Sequence, residues 1–130
     1  MTPVDHRMEA FRGTVGISGP VCVRGGGTRW ELGGGAAGAR EVSAPQGILA
    51  LEPAEMTVKV GAGTLLADLA DALADHGQEV GIDGPPGSTV GGALAVGRGP
   101  LRRRRVGAVA DVLLQADCVG ADGATFTAGG

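Results

Sequence analysis

Residues 23–34 run Val-Arg-Gly-Gly-Gly-Thr-Arg-Trp-Glu-Leu-Gly-Gly, a glycine loop that follows a short apolar stretch directly. Three successive glycines remove every Cβ from the turn, so its N–H groups can press against a ligand. The ligand such a loop suits is a phosphate or pyrophosphate held by amide donors. A second glycine-bearing segment lies downstream, Pro85-Pro86-Gly87-Ser88-Thr89-Val90-Gly91-Gly92. The two together point to a nucleotide cofactor. Two familiar phosphate loops are excluded. A Walker A loop needs Lys and then Ser or Thr after its second glycine, and Gly27 is followed by Thr28 and Arg29. The dinucleotide fingerprint needs a third glycine where Trp30 stands; Gly61-Ala62-Gly63 fails in the same way at Leu66.

No catalytic constellation accompanies these loops. Asp68, Asp71 and Asp75 fall on the expected solvent side of a helix, with no feature that would raise their pKa values for proton transfer. His6 and His76 are isolated, and His76 suits a helix C-terminus. Ser88 lacks a nucleophile-elbow setting, and metal ligands at useful spacing are absent. Cys22 and Cys118 form no framework, although one disulfide between them is open. Arg102, Arg103, Arg104 and Arg105 suit a solvated loop or a partner-subunit contact better than nucleic acid, because stacking aromatics are missing.

Composition narrows the class. With 26 Gly and 7 Pro in 130 residues, low complexity has to be weighed, but there is no short repeat and hydrophobic residues reach 43%. A loop-rich folded domain is expected. Aromatics are confined to Phe11, Phe126 and Trp30, so the core gains little from buried rings, and a large cofactor would add stability. The net charge of −3 disfavours a general nucleic-acid or anionic-membrane binder. No signal peptide and no membrane-spanning run is read from the sequence, which makes a cytoplasmic location the expectation.

The elements that must position the loops follow from local pattern. Residues 1–12 read as a frayed arm or short helix, and 20–23 as the strand feeding the glycine loop. Residues 33–38 read as a connector with nothing to pack. A short strand over 47–51 closes in the turn 52–55, and Met56, Val58 and Val60 alternate as a half-buried strand. Thr64 is the expected N-cap of an amphipathic helix carrying Leu65, Leu66, Leu69, Ala70 and Leu73 on one face and ended by Gly77. Residues 109–119 read as a strand with Val112, Leu114, Ala116 and Cys118 on one side; 120–123 form a turn, and 124–128 pair back as a hairpin. The class is α+β, not doubly wound.

In this order the motifs resemble the FAD-binding domain of the vanillyl-alcohol oxidase and para-cresol methylhydroxylase (PCMH) superfamily. The resemblance is carried by Arg24 to Thr28, by "LEPAEMTVKVGAGTLLADLADALADHGQ", by Thr89 to Gly92 and by "DVLLQADCVGADG", and it spans about residues 11–130. Within that group the continuation Thr28-Arg29-Trp30 and the segment "GRGPLRRRRVGAVADVLL" look most like the E-type FAD-binding subunits of bacterial glycolate oxidases. The resemblance implies an FAD-binding PCMH-type domain: an N-terminal α/β subdomain plus part of the second subdomain, over 13–130, behind an arm at 1–12. It implies pyrophosphate contacts at Gly25, Gly26, Gly27 and Thr28, with Arg29 close by and Arg24 also among the cofactor-binding residues. Gly91 and Gly92 would lie along the flavin and ribityl chain, framed by Pro85 and Thr89, with Gly107 also approaching the cofactor. Covalently tethered relatives use a histidine or cysteine beside the loop, so Thr28, Arg29 and Trp30 imply non-covalent FAD.

The implied function is an FAD-linked oxidoreductase acting on a small 2-hydroxy acid such as glycolate, alongside sister oxidase subunits. Relatives continue into a segment that closes over the cofactor and then a cap domain, so the chain is expected to be a C-terminally truncated, incomplete enzyme whose catalytic residues lie beyond Gly130. Two other classes stay open: a non-catalytic nucleotide-binding or scaffold module, and a phosphate-binding protein without preference for FAD.

Overall fold

The computed structural model describes residues 6–97 and 107–130. The four arginines at 102–105 lie outside the described residues. Among the described residues, three small sheets and four helices make a mixed α+β arrangement. Helix α1 (His6–Val15) runs through the boundary expected between residues 12 and 13; it is largely exposed and is anchored at its C-terminal end. Val15 is buried, and Arg40 donates from Nη1 and Nη2 to the carbonyls of Thr14 (2.7 Å) and Val15 (2.8 Å). Those are carbonyls of the last helical turn, where a cation also complements the helix dipole.

Strands β1 (Val21–Val23) and β2 (Arg40–Val42) pair in parallel. A parallel pair requires a long crossover, and here the crossover is the glycine loop followed by a 3₁₀ turn (Trp30–Gly33). The short β2 is too brief to show a period-two pattern and is absent from the sequence expectation. Strands β3 (Ile48–Glu52) and β4 (Thr57–Val60) form an antiparallel pair. Its register slips between Ile48 and Ala50, a bulge at Leu49. Ile48 and Leu51 are three residues apart and would otherwise face opposite sides; the bulge lets both pack on the same core. Met56 falls outside β4: it ends the 3₁₀ turn Pro53–Glu55 in the left-handed region (φ 58°) and is 81% exposed.

Helix α2 (Leu66–Ala74) lies on this hairpin. Leu69, Leu73 and Val90 are the buried centre, with Leu51, Val58, Val60 and Leu94 among the residues around them. Leu65 and Ala70, expected on the buried face, are exposed, whereas Asp68, Asp71 and Asp75 face solvent as expected. The N-cap is Leu65, not Thr64. The Thr64 hydroxyl instead accepts from the Gly47 N–H (2.8 Å), and the Leu66 N–H donates to the Ser88 carbonyl (2.9 Å), so a tertiary acceptor replaces the side-chain cap. At the other end, N–H groups of Gly77 and Gln78 reach back to Ala74 and Leu73, and Gly77 takes φ +66°.

The strand expected over 109–119 divides. Residues Val109–Val112 form one helical turn, α4, which Asp111 supports by accepting the Ala108 N–H (3.3 Å). Only Gln115–Val119 is extended, as β5, and it pairs with β6 (Thr125–Gly129) across the expected turn. Cys22 and Cys118 are both free thiols. The β5–β6 hairpin is tied to β4 by Asp117, which accepts from the Thr127 hydroxyl (2.9 Å) and pairs with Lys59 (3.2 Å). The Thr127 bond first, then Lys59, hold its pKa below the ordinary carboxylate value. No helix among the described residues is long and apolar enough to cross a membrane.

Two outcomes follow from this packing. Leu69→Ala empties the most buried site and is expected to cost about 2–5 kcal/mol, whereas Leu65→Ala, 41% exposed, costs well under half of that; urea titration of the two variants checks the difference. Because the Asp117 pKa is depressed in the folded state, its contribution is present above the unfolded carboxyl's value of about 4 and disappears as pH falls through the lowered value. Asp117→Asn should therefore cost up to about 1 kcal/mol at neutral pH and nothing near pH 2, as measured by melting at both pH values.

Candidate functional site

The glycine loop leaves β1 with the Arg24 N–H still bonded to the Val42 carbonyl (2.9 Å), so its first residue is fixed by the sheet. It then runs against the residues 87–89. A Cβ on Gly26 would collide with the Gly87 carbonyl oxygen, and one on Gly25 with the Thr89 hydroxyl. Gly27 completes the turn at φ +71°. The triglycine is thus required by close backbone approach at its first two positions and by a left-handed turn at the third. Thr28 Oγ1 and Ser88 Oγ, 3.3 Å apart, join the two segments once more.

The downstream segment is not a glycine turn. Ser88 N–H closes a tight turn onto the Pro85 carbonyl (3.0 Å), and residues Val90–Val96 form helix α3. Thr89 is its N-cap, accepting the Gly92 N–H at 3.1 Å, and Gly97 ends it in the left-handed region. Two adjacent glycines argue against a helix, which is why the sequence expectation missed it; the signal present was Thr89 ahead of apolar Val90, Ala93 and Leu94 with a glycine after Val96.

A cleft of about 530 Å³ opens between the glycine loop, the 3₁₀ turn and α3. Of the residues expected at the cofactor, Gly25, Gly26, Gly27, Thr28, Arg29, Thr89 and Gly92 line it together. Four do not. Pro85 stands behind the loop contact, and Gly107 precedes α4. Gly91 gives its N–H to the Ala62 carbonyl (2.8 Å), and a Cβ there would crowd the Ala62 side chain; its role is to seat α3 on the 61–64 loop. Arg24 does not line the cleft, but its guanidinium lies beside Gly27, over the Trp30 ring (4.7 Å to the centroid), and reaches Glu41 (3.4 Å). Sequence reasoning missed Cys22, Val23, Trp30 and the α3 residues Ala93, Ala95 and Val96, all of which line the cleft. The stretch 33–36, read as a connector with nothing to pack, forms part of its wall.

The donors are distinctive. Among the described residues, the N–H groups of Gly25, Gly26, Gly27, Thr28 and Arg29 have no protein acceptor, and the Arg29 guanidinium makes no hydrogen bond or ion pair. Gly25, Gly26 and Thr28 are exposed, so their N–H groups are open to water or a ligand, and successive N–H groups in a curved loop can form an anion-binding concavity. The arrangement fits a pyrophosphate: amides for the oxygens and one cation beside them. It offers no acid–base machinery, and no described cluster of His, Cys, Asp or Glu could hold a metal ion.

Comparison with known proteins agrees with this chemistry. No curated protein matches the chain. The FAD binding domain family matches residues 17–129, which takes in the glycine loop, the β3–β4 hairpin, both packed helices and the C-terminal hairpin. Its members are generally FAD-linked oxidoreductases. With almost the whole chain matched, this protein belongs to the FAD binding domain family.

Proposed function

We propose that the chain binds FAD non-covalently, with the cofactor's pyrophosphate on the amides of Gly25, Gly26, Gly27 and Thr28 and beside the Arg29 guanidinium. The observation that carries this reading is the row of N–H donors without protein acceptors along the cleft. Arg24 acts at one remove: by pairing with Glu41 and covering Trp30 it holds the loop in shape. Thr89 keeps α3 and the loop in contact.

The finer reading is a subunit of a cytoplasmic flavin-dependent oxidoreductase that oxidises a small 2-hydroxy acid such as glycolate, and it rests on the resemblance of Thr28-Arg29-Trp30 and its companion segments. When bound, FAD supplies the hydride-accepting chemistry. The chain's own residues bind the pyrophosphate and orient the cofactor through the loop and α3. Arg102 to Arg105 are proposed as a contact for a sister subunit.

The test is an FAD titration of the purified chain, following flavin fluorescence and thermal melting together. Wild-type binding should raise the melting temperature. Gly26→Val forces the loop off the Gly87 carbonyl and should abolish binding. Arg29→Met should weaken binding about tenfold through loss of a charge-assisted contact, without altering the ligand-free melt. Inorganic phosphate binding as tightly as FAD, or a Gly26→Val chain that binds normally, would contradict the proposal.

A further inference from the structure

The cleft has a second chemical character besides its amides. Trp30, Leu32, Val23, Ala93 and Val96 also line it. Leu32 is 69% exposed and Val23 54%, so this apolar surface is open to solvent in the ligand-free protein. Trp30 is half-buried, and the Arg24 guanidinium sits 4.7 Å from its ring centroid while also reaching Glu41; the Arg24 backbone is fixed by its N–H bond to Val42. The cation covers one side of the indole; Arg24 does not line the cleft, whereas Trp30 does. An aromatic ring with a cation on one side and exposed aliphatic side chains beside it, two residues beyond the glycine loop, suits a flat apolar group attached to a phosphate.

We infer that Trp30 is a stacking residue, which packs one planar heteroaromatic ring of the dinucleotide against the indole face that lines the cleft. This rests on the pyrophosphate reading of the glycine loop. The Arg24–Glu41 pair is then a positioning device: it pre-sets the indole so that little side-chain freedom is lost when the ring docks. Both rings of FAD share the required chemistry, and separate ligands tell them apart, ADP carrying only the adenine and FMN only the isoalloxazine.

Trp30 is the single tryptophan and the chain has no tyrosine, so intrinsic emission reports on this side chain alone. FAD, ADP, FMN and inorganic pyrophosphate are titrated into wild type, Trp30→Phe and Trp30→Ala, with thermal melting of each ligand-free variant as the folding control. Trp30→Ala should weaken FAD about tenfold, a loss typical of one stacked base, while Trp30→Phe retains most of the affinity and inorganic pyrophosphate binds all three equally. In wild type, ADP should quench tryptophan emission if the adenine stacks; if the isoalloxazine stacks, FMN affinity should fall in Trp30→Ala and ADP affinity should not. Equal FAD affinity in wild type and Trp30→Ala overturns the inference and leaves the pyrophosphate site standing. Equal weakening of FAD and inorganic pyrophosphate also overturns it, since Trp30 would then act only through loop shape. Failure of wild type to bind either pyrophosphate or FAD overturns the loop reading itself and this inference with it.

Discussion

The approach of the triglycine loop to the backbone at Gly87 is the constraint on which the remaining architecture turns. Gly26 can lie over the Gly87 carbonyl only because Gly26 carries no side chain, and Gly25 meets the Thr89 hydroxyl for the same reason. The 87–91 segment faces several partners at once. Its Ser88 carbonyl receives the first N–H of α2, its Thr89 hydroxyl caps α3, and its Val90 and Gly91 N–H groups are bound by Thr64 and Ala62. A shift of the loop by the width of one methyl group would therefore disturb the start of both core helices. On its other side the same loop lines the cleft, and the N–H groups of Gly25 to Arg29 have no protein acceptor among the described residues.

That arrangement also explains how so small a core suffices. The fully packed centre is Leu69, Leu73 and Val90, with no aromatic ring among them. The rest of the chain is held by directional links: Arg40 across the end of α1, Thr64 onto Gly47, Gln78 onto Pro53 and Asp117 between two hairpins. Most are partly exposed and individually weak. A ligand that satisfies the four loop amides and covers exposed Val23 and Leu32 would add stability to this small core, which would couple cofactor binding to folding.

The glycine loop, the β3–β4 hairpin, α2 and the C-terminal hairpin were legible in the sequence because each carries a local signature: a Cβ-free turn, alternation, a helical stripe, a Gly-Ala-Asp-Gly turn. What was not legible depends on tertiary contacts. Helix α3 hides behind two glycines, and Gly91 is glycine for the sake of Ala62. The cap of α2 comes from Ser88, some twenty residues away by sequence, so the hydroxyl of Thr64 was free to bind elsewhere. Likewise the partners of Arg24 are set by tertiary structure: the parallel β1–β2 pair brings Glu41 within reach of its guanidinium, which also lies over Trp30. The apolar side of the cleft was invisible because its residues come from three separate elements.

Amide hydrogen exchange resolved at Gly25, Gly26, Gly27 and Thr28, with and without saturating FAD, tests the central claim most directly. These N–H groups have no protein acceptor among the described residues, so they should exchange fast in the free chain and slow by at least tenfold when the pyrophosphate is bound. The Gly91 N–H, already bonded to Ala62, should serve as a slow internal reference in both states. FAD bound at saturation with the four loop amides still exchanging at their free rate would contradict the account.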